Sequence, residues 1–578
     1  MRYNIFSLIA VITVMLLGSV SCVKINEELG DNFIPTNQIW NVFPCDDVTL
    51  NDITMKQSDS LTGYSTSRIT FGSIKDGQFG CTKSSCFTLV PLLDSIDFGT
   101  ETKVLQFHFS ALRDTVSVLR DSDKRMLQNV FVRPLKSALD STVLYTGTFN
   151  NRTILENFVY TDRIITSGIP IYNGGDSLSF DFSKEYAWEV IEGIKSWQAL
   201  EQEKRDSLSS YLEKVPGIYI ETDAQTTDGG RINMFDLPLA ASDGYLDANY
   251  AELKIRAKYD GKQTDTLFVF YFGPSEFLAD DATSYPTQYA FNSSENYAAD
   301  NFIENWDKTT LYVEGGSGYK PVVKAKEIKE IVNNLIKTKS IDTDIDSSSV
   351  VINKASIILP YNVGTAYELL DKYPTILSPT VRLTSDDGKY VTYAGLTDSS
   401  IESENQGNIN RSLFMYCPDI SHHVQEIVKL QQEPGETDEA FEKRLAKYDI
   451  WFLIMHEETI KESSSSSAYD DYYNSLMYNS YYNNMMYDPY GYGYGYGGYG
   501  YGYGGYGYGY GDYGYNNYYN YYMMAAYANA SSSSSTTSSS IELDRDRFHN
   551  AKLNGPQTTD KNKPRLRITF SAPKKSEK

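Results

Sequence analysis

The sequence predicts a mainly β fold with some helices (α+β), built as two β-sandwich-like modules in tandem. Short segments in which apolar and polar residues alternate recur along the chain, and each is bounded by turn-forming residues. Helical spacing of apolar residues is confined to a few stretches. The chain has 578 residues, of which 41% are hydrophobic, and this is enough for more than one core.

The first 22 residues have the layout of a lipoprotein signal peptide. Arg2 precedes a mostly apolar run from Ile5 to Leu17, and small residues then lead to Cys22. This run is too short to span a bilayer, which takes ~20 apolar residues. We therefore expect residues 1–21 to be removed, Cys22 to be lipidated, and residues 22–42 to form a stalk. Ordinary secretion with cleavage near Ser21 is the alternative.

Charge and cysteine content limit the partners. The net charge is −23, and an acidic surface repels phosphate backbones, so nucleic acid is not an expected partner. An even number of cysteines remains besides Cys22, which permits disulfides in an exported protein. Cys81 and Cys86 are close in sequence and are predicted as a local disulfide, with two buried thiols as the alternative. No metal site or cofactor is expected, because no His lies near these cysteines.

Residues 43–272 are predicted to form the first β-rich module, followed by a polar linker at 273–297. Apolar residues at helical spacing predict one or two helices within 186–212. The alternating segments predict strands at 103–110, 129–134, 141–145, 218–221, 231–237, 252–259 and 266–272.

The second β-rich module is predicted at 298–462 and 541–571, with a basic tail at 572–578. Its helices are expected at 325–337, 419–430 and 438–447. Its strands are expected at 310–313, 350–360, 450–456, 547–553 and 565–570.

Residues 463–540 interrupt the second module with a segment of unusual composition. Serine runs flank a core rich in Tyr, Gly and Asn, and the segment holds half of the 48 Tyr of the chain but no Lys or Arg. Such a segment cannot bury an aliphatic core, so it is predicted to be a disordered loop.

Several stretches, taken in order, resemble a family of Bacteroidota lipoproteins catalogued as domain of unknown function 4270. The stretches are Leu29–Pro35 (LGDNFIP), Gly72–Phe87 (GSIKDGQFGCTKSSCF), Val215–Glu221 (VPGIYIE), Ile352–Pro360 (INKASIILP) and Lys563–Phe570 (KPRLRITF). The resemblance runs from about Leu29 to Phe570 apart from the Tyr/Gly segment, which departs from the family pattern. It implies an envelope lipoprotein of two β-rich halves, and the family has no settled activity or catalytic residues to carry over.

Three local patterns are weighed as chemical sites. His456-Glu457-Glu458 begins like a zinc-protease motif, but Ile460 replaces the second His, which favours a strand end. His422 and His423 are neighbours, so on a helix they point about 100° apart and chelate one metal poorly, which favours histidines on a helix surface. Asp342, Asp344 and Asp346 alternate like the start of a calcium loop but lack its Gly and Glu, which favours a solvated acidic turn.

A distributed pattern of Asp-Ser/Thr-apolar triplets resembles the O-glycosylation sites of secreted Bacteroidota proteins. The alternative is that Asp and Ser end a turn and the apolar residue begins the next element. The candidate acceptors are Ser60, Ser95, Thr115, Ser141, Ser177, Ser207 and Thr266.

These observations predict a non-enzymatic lipoprotein, lipid-anchored to the outer membrane and either periplasmic or surface-exposed, that binds a glycan or an envelope protein. Tyr side chains suit this role because each offers an apolar face and a hydroxyl group. A surface glycan hydrolase is one alternative, since it needs only two carboxylates beside a cleft. A structural subunit of an outer-membrane complex is the other.

Overall fold

The computed structural model describes most of the chain outside its termini and the Tyr/Gly segment. The described residues are 40–44, 47–59, 62–92, 95–114, 126–139, 150–242, 245–277, 286–343, 345–361, 363, 367–384, 391–400, 407–460 and 538–575. The predicted signal peptide, Cys22 and the predicted strand at 141–145 lie outside these ranges.

Strands account for most of the regular structure. In chain order the first are β1 (Trp40–Pro44), β2 (Val48–Thr49), β3 (Ile53–Gln57), β4 (Gly63–Ser65), β5 (Arg68–Asp76), β6 (Phe79–Phe87), β7 (Leu89–Pro91), β8 (Thr100–Leu112), β9 (Gln128–Pro134), β10 (Ile171–Tyr172), β11 (Ser177–Asp181), β12 (Ile218–Thr222), β13 (Gly229–Asp236), β14 (Ala240–Ser242), β15 (Tyr245–Ala248), β16 (Tyr250–Tyr259), β17 (Lys262–Phe272) and β18 (Ala290–Ala298). They are followed by β19 (Thr310–Glu314), β20 (Tyr319–Val323), β21 (Val351–Pro360), β22 (Ile376–Thr384), β23 (Val391–Gly395), β24 (Ile409–Asn410), β25 (Met415–Tyr416), β26 (Ile450–Ile460), β27 (Ser538–Leu543), β28 (Asn550–Asn554) and β29 (Arg565–Pro573).

The helices lie between these strands. The α-helices are α1 (Asn151–Phe158), α2 (Lys184–Gln198), α3 (Gln202–Arg205), α4 (Leu208–Lys214), α5 (Phe302–Asn305), α6 (Ala325–Asp342), α7 (Thr397–Ser400), α8 (Ser421–Lys429) and α9 (Asp438–Leu445). Short 3₁₀ turns occupy Tyr367–Lys372 and Ala446–Tyr448.

The first unit consists of an eight-stranded and a five-stranded antiparallel sheet. The larger sheet has the order β10-β9-β12-β6-β18-β4, with β5 joining β6 to β13, and the smaller has the order β11-β8-β16-β17-β7. Their facing side chains share one core. In it, the ring centroid of Phe87 on β6 lies 5.3 Å from that of Phe272 on β17. Helices α2 and α4 cover part of this core, where Trp197 packs edge-on against Tyr211.

The second unit consists of two six-stranded sheets around a second core. One has the order β1-β29-β21-β25-β24 with β2 on β29, and the other has the order β23-β22-β26-β20-β3 with β27 on β26. Alternate residues of β29, namely Leu566, Ile568 and Phe570, point into this core together with apolar side chains of α6 and α8. The mainly β fold with two sandwich-like units is thereby confirmed.

Long-range pairing places two segments differently from the sequence prediction. Strands β1 and β3 pair with β29 and β20, so both belong to the second unit, although residues up to 42 were expected in the stalk and 43–272 in the first module. All but the last residue of strand β18 falls in the predicted linker at 273–297, yet the strand pairs with β4 and β6 in the eight-stranded sheet.

A two-residue turn shows how local sequence fixes one of the hairpins. Strands β16 and β17 are joined by Asp260 and Gly261, which both have positive φ angles, +50° and +78°. Asp-Gly is favoured at such turns because their twist matches that of the flanking strands. Among the described helices, none combines the length and the apolar character that a membrane crossing requires.

Candidate functional site

The Tyr/Gly segment connects two neighbouring strands of the second unit. Strands β26 and β27 pair in antiparallel register, with Met455 opposite Leu543 and Ile460 opposite Ser538. Residues 461–537, which lie outside the described ranges, are therefore the connection of a β-hairpin. The last three residues of the predicted insert, 538–540, belong to β27, so the insert ends at 537 rather than at 540.

The chain that returns from the insert is fixed at Asp544, directly after β27. Asp544 is 2% exposed and accepts hydrogen bonds from Nε2 of His549 at 3.1 Å and from Nη1 of Arg547 at 3.2 Å. The Arg547 backbone amide also donates a hydrogen bond to the Asp544 carboxylate. Burial opposes ionisation, but the bond from His549 and the charges of His549 and Arg547 hold the pKa of Asp544 well below its usual range.

The next acidic residue reaches across to the first unit. Oδ2 of Asp546 accepts a hydrogen bond from Nη1 of Arg68 at 3.0 Å, and Oδ1 accepts one from the Thr70 hydroxyl at 3.0 Å. Arg68 lies at the start of β5, is 3% exposed, and also donates from Nε to Asp114 at 2.7 Å. The Lys83 ammonium group donates to the Arg545 carbonyl oxygen in the same region. The base of the insert is thus fastened to both units.

A second set of polar contacts joins β18 of the first unit to the loop between β19 and β20. The Asn296 side chain donates to the Gly315 carbonyl oxygen at 3.0 Å and accepts from the Ser317 amide at 3.1 Å. Lys320, which is 1% exposed, donates to the carbonyl oxygens of Gly316 and Gly318 at 3.1 and 3.2 Å. We call these contacts and those of Asp544 and Asp546 the junction.

Burial shifts the pKa values of several titratable groups at and beside the junction in the direction that favours their neutral forms. Burial raises the pKa of the Glu314 carboxyl group and lowers the pKa of the neighbouring Lys320. Burial also raises the pKa of the Cys81 thiol, which lies 3.6 Å from the Ser294 hydroxyl oxygen. A thiol in this state is a weak nucleophile, because the thiolate is the reactive form. These buried polar contacts can hold the two units together, and burial keeps the Cys81 thiol in its weakly nucleophilic form.

The predicted disulfide between Cys81 and Cys86 is wrong. Both cysteines are free and buried on the same strand, β6. Five residues of extended strand separate their Cα atoms by roughly 16 Å, whereas a disulfide needs 4.4–6.8 Å. The odd spacing also points the two side chains to opposite faces of the sheet.

The two adjacent histidines have different environments on α8. His422 is exposed, whereas His423 is 1% exposed and donates from Nε2 to the Tyr448 carbonyl oxygen at 2.8 Å. Burial lowers the pKa of His423 to about 4, so the ring is neutral near pH 7. At the start of this helix, the Asp398 carboxylate accepts hydrogen bonds from the backbone amides of both histidines.

The other two candidate patterns have structural explanations. His456, Glu457 and Glu458 lie within the extended strand β26, whereas the zinc-protease motif requires a helix. Asp346 accepts hydrogen bonds from the amide and hydroxyl groups of Ser348, which lower its pKa, and Asp344 lies outside the described residues. Within the described ranges, no group of three or more His, Cys, Asp or Glu side chains is arranged to hold a metal ion.

Four of the seven candidate glycosylation acceptors lie at described positions. Ser95 is exposed in a loop, Ser177 is exposed at the first residue of β11, Ser207 precedes α4, and Thr266 lies within β17. Ser60, Thr115, Ser141 and Cys22, the predicted lipid acceptor, lie outside the described residues. Ser177 and Ser207 each stand where an element begins, as the turn interpretation expects.

One open concavity on the first unit has a polar lining. Its volume is about 770 Å³, and it lies beside the start of α2. Asp162, Arg163, Ser183, Lys184 and Glu185 contribute polar groups to its wall. The Ser183 hydroxyl oxygen accepts a hydrogen bond from the Tyr186 amide and so caps the N-terminus of the helix.

The junction is the part of the site that the sequence analysis missed. Its residues come from β5, β6, β18, the loop after β19 and the segment after β27, which are far apart in sequence. The alternation of Asp and Arg from Asp544 to Arg547 was the one local signal of a charged cluster. No family model, curated protein or solved structure matches this chain.

Proposed function

We propose that this protein is a non-enzymatic outer-membrane lipoprotein whose two β units present the Tyr/Gly insert to a polymer or protein partner. The observation that carries this proposal is the pairing of β26 with β27, which makes residues 461–537 a hairpin connection. Its base is fixed to both units through Asp544 and Asp546. A partner held by the insert would thereby be coupled to the whole scaffold.

The composition of the insert favours contacts through aromatic rings. Tyr alternates with Gly over much of 490–515, so rings are frequent and the backbone between them carries no side chain. Tyr rings stack on sugars and on other aromatic groups and also offer a hydroxyl group. The segment 463–540 carries no Lys or Arg, which removes an electrostatic route to phosphates.

The N-terminal segment supports the membrane anchor. An apolar run that ends at Cys22, together with the family resemblance, points to an acylated cysteine at the outer membrane. Changing Cys22 to Ala should move the protein from the membrane fraction to the soluble fraction of cells. A variant that stays in the membrane fraction would mean that the anchor lies elsewhere.

Binding through the insert is tested by capture experiments with matched variants of the mature chain. One variant replaces 461–537 by a short Gly/Ser linker, and the other keeps the length of the insert but changes its Tyr residues to Ser. Wild-type protein should retain a partner from mild-detergent extracts or a purified envelope glycan, and both variants should lose it. Equal retention by all three proteins would contradict the proposal.

The glycan hydrolase is a second candidate because Asp162 and Glu185 line the same concavity. Two carboxylates beside a cleft are the minimum for glycoside hydrolysis. If this candidate holds, the wild-type chain releases reducing ends from envelope glycans, and Asp162→Asn and Glu185→Gln each abolish the release. Activity that both variants retain would exclude this concavity as an active site.

A further inference from the structure

We propose that the outer face of the sheet at β1, β29 and β21 lies on an anionic lipid surface. The proposal rests on the lipid anchor proposed above, and it adds a second contact that orients the folded units relative to the bilayer. Its occupant is the lipid bilayer and not a second protein. We call this surface the basal face and define it by Trp40, Val42, Val351, Lys354, Arg565, Arg567 and Lys575.

Apolar side chains are exposed side by side on the basal face. Trp40, Val42 and Val351 are 46%, 62% and 43% exposed. Val42 and Val351 are both paired with Ser571 of β29, so the two valines project from the same side of the sheet. Scattered exposed apolar residues need no explanation, but a cluster on one sheet face indicates a contact surface.

The opposite side of β1 is committed to the core. Phe43 is paired with Phe570 of β29, and their rings lie 5.2 Å apart within the second core. The alternation along β1 therefore fixes Trp40 and Val42 outward. Their exposure is a consequence of register and not of a loose chain end.

The basal face is cationic although the whole chain is strongly acidic. Lys354 is paired with Thr569 on the outer side of β29, where Arg565 and Arg567 also lie, and Lys575 follows that strand. Lys574 is bridged to the buried Ile345 and lies toward the core side. Three described carboxylates lie among the outer cations: Asp47 accepts hydrogen bonds from Arg565 and Arg567, Asp419 is bridged to Ser356, and Asp346 donates its backbone amide to the Pro573 carbonyl oxygen. Four cations against three carboxylates leave a net positive charge, which complements anionic headgroups.

Chain length places this face near the membrane. The 17 residues from Val23 to Ile39 connect Cys22 to Trp40, the first described residue. A fully extended chain of that length spans at most about 60 Å. The lipid attached to Cys22 therefore holds the bilayer within reach of the basal face, and Trp is well suited to the interface because its ring is amphipathic.

Charge argues against a second copy as the occupant. A symmetric dimer through β1 would bring two basal faces together and oppose like charges across the twofold axis. An anionic bilayer instead offers the opposite sign together with an apolar layer for Trp40 and Val42.

The test uses the full mature chain with Cys22→Ala, so that no acyl chain contributes. Binding is measured by co-sedimentation with vesicles of phosphatidylcholine alone and of phosphatidylcholine mixed with phosphatidylglycerol. We expect binding to the anionic vesicles only, weakened by salt. The double variants Trp40→Ser/Val42→Ser and Lys354→Glu/Lys575→Glu should each lower the partition coefficient about ten-fold.

A matched control changes the same residue types on the first unit. Leu267 is 49% exposed, and Lys262 is exposed at the start of β17, so Leu267→Ser/Lys262→Glu should bind vesicles as wild type does. Trp40→Phe should remove the blue shift of tryptophan emission that accompanies binding. The proposal would be overturned if the Cys22→Ala chain did not bind anionic vesicles. It would also be overturned if the basal-face variants bound as strongly as the control variant.

Three further outcomes separate this proposal from its premise and from its rival. A chain that is acylated at Cys22 in cells but shows no vesicle binding without the lipid refutes the basal face alone. A chain that is not acylated but binds anionic vesicles refutes the anchor alone. Dimerisation that Trp40→Ser/Val42→Ser abolishes, without vesicle binding, would assign the face to a second copy.

Discussion

Arg68 is the residue that ties the insert-bearing segment to the first unit. It is almost fully buried and bonds both Asp114 and Asp546. Removing one partner of a buried ion pair leaves an uncompensated charge, which costs about 3–5 kcal/mol. We expect Arg68→Met to lower the free energy of unfolding by roughly this amount. Urea titration followed by circular dichroism measures it.

The control for this prediction is an exposed ion pair. Arg152 and Glu156 form an i,i+4 pair on α1 with side chains that are 80% and 63% exposed. Exposed pairs contribute about 0–1 kcal/mol, so Arg152→Met should change the unfolding midpoint little. Equal effects of the two substitutions would show that the junction is not a stabilising contact.

His423 makes stability depend on pH in a defined direction. Its pKa is about 4 in the folded chain and about 6.5 when unfolded, so the unfolded chain binds more protons between these values. The stability from its neutral ring is therefore present above pH 6.5 and lost as pH falls toward 4, by about 3 kcal/mol at most. His423→Gln, which keeps a donor for the Tyr448 carbonyl group, should show a smaller loss between pH 7 and pH 5.

The exposed neighbour supplies the comparison for the pH experiment. His422→Gln changes the same residue type one position earlier, where the side chain is exposed. Its unfolding midpoint should follow the wild-type pH dependence. A wild-type profile that His423→Gln leaves unaltered would mean that His423 is not held neutral by burial.

Prediction from sequence succeeded at the residue scale where the signal was local. The spacing of His422 and His423 on a helix was enough to predict that they point apart, but both were expected on the helix surface, and His423 is buried. The proximity of Cys81 and Cys86 in sequence was misleading. Whether two cysteines meet depends on the intervening backbone, and an extended strand holds them apart.

At the element scale, periodicity predicted the strands and helices that are amphipathic. The expected strand at 103–110 lies within β8, and the expected helix at 325–337 lies within α6. Strand β18 was taken for a linker because it is polar. Its Ser293, Ser294 and Asn296 are buried, and the side chains of Ser294 and Asn296 are hydrogen-bonded there, so polarity did not indicate exposure.

The register of the insert-bearing hairpin makes a prediction of its own. Glu457 is paired with Ile541, and both are exposed on one face. We expect the double variant Glu457→Cys/Ile541→Cys to form a disulfide on mild oxidation, because directly opposed residues are ~5 Å apart. Free-thiol titration and non-reducing electrophoresis after proteolysis within the insert detect it.

A diagonal pair is the control for the hairpin. Leu543 lies two residues from Ile541 on β27, so Glu457→Cys/Leu543→Cys places the thiols on diagonal positions about 7–8 Å apart. This pair should oxidise much more slowly. Equal oxidation of both pairs, or of neither, would contradict the register of β26 and β27.

At the scale of the whole molecule, the sequence predicted that there are two cores but not which strands belong to each. Composition and strand count predicted two sandwich-like modules, but β1 and β3 pair with strands that lie more than two hundred residues away. No local pattern encodes the partner of a strand. The same limit applies to the junction, whose residues converge from both units.

The insert joins two paired strands, so the folded units are complete without it. Strands β26 and β27 close the hairpin, and the junction forms after the chain returns. Loop-closure entropy falls when a long connection is shortened, by about 2.5 kcal/mol for a change from ~80 to ~5 residues. The folded units should therefore be as stable without residues 461–537 as with them, or slightly more stable.

The most direct test of this account is the thermal unfolding curve of the chain in which a short Gly/Ser linker replaces 461–537. We expect the variant to keep the β-rich circular dichroism spectrum of the wild type. Its melting temperature should be equal to that of the wild type or a few degrees higher. A melting temperature about 10 °C or more lower would show that the insert packs into the fold, and it would contradict a scaffold that is complete without the insert.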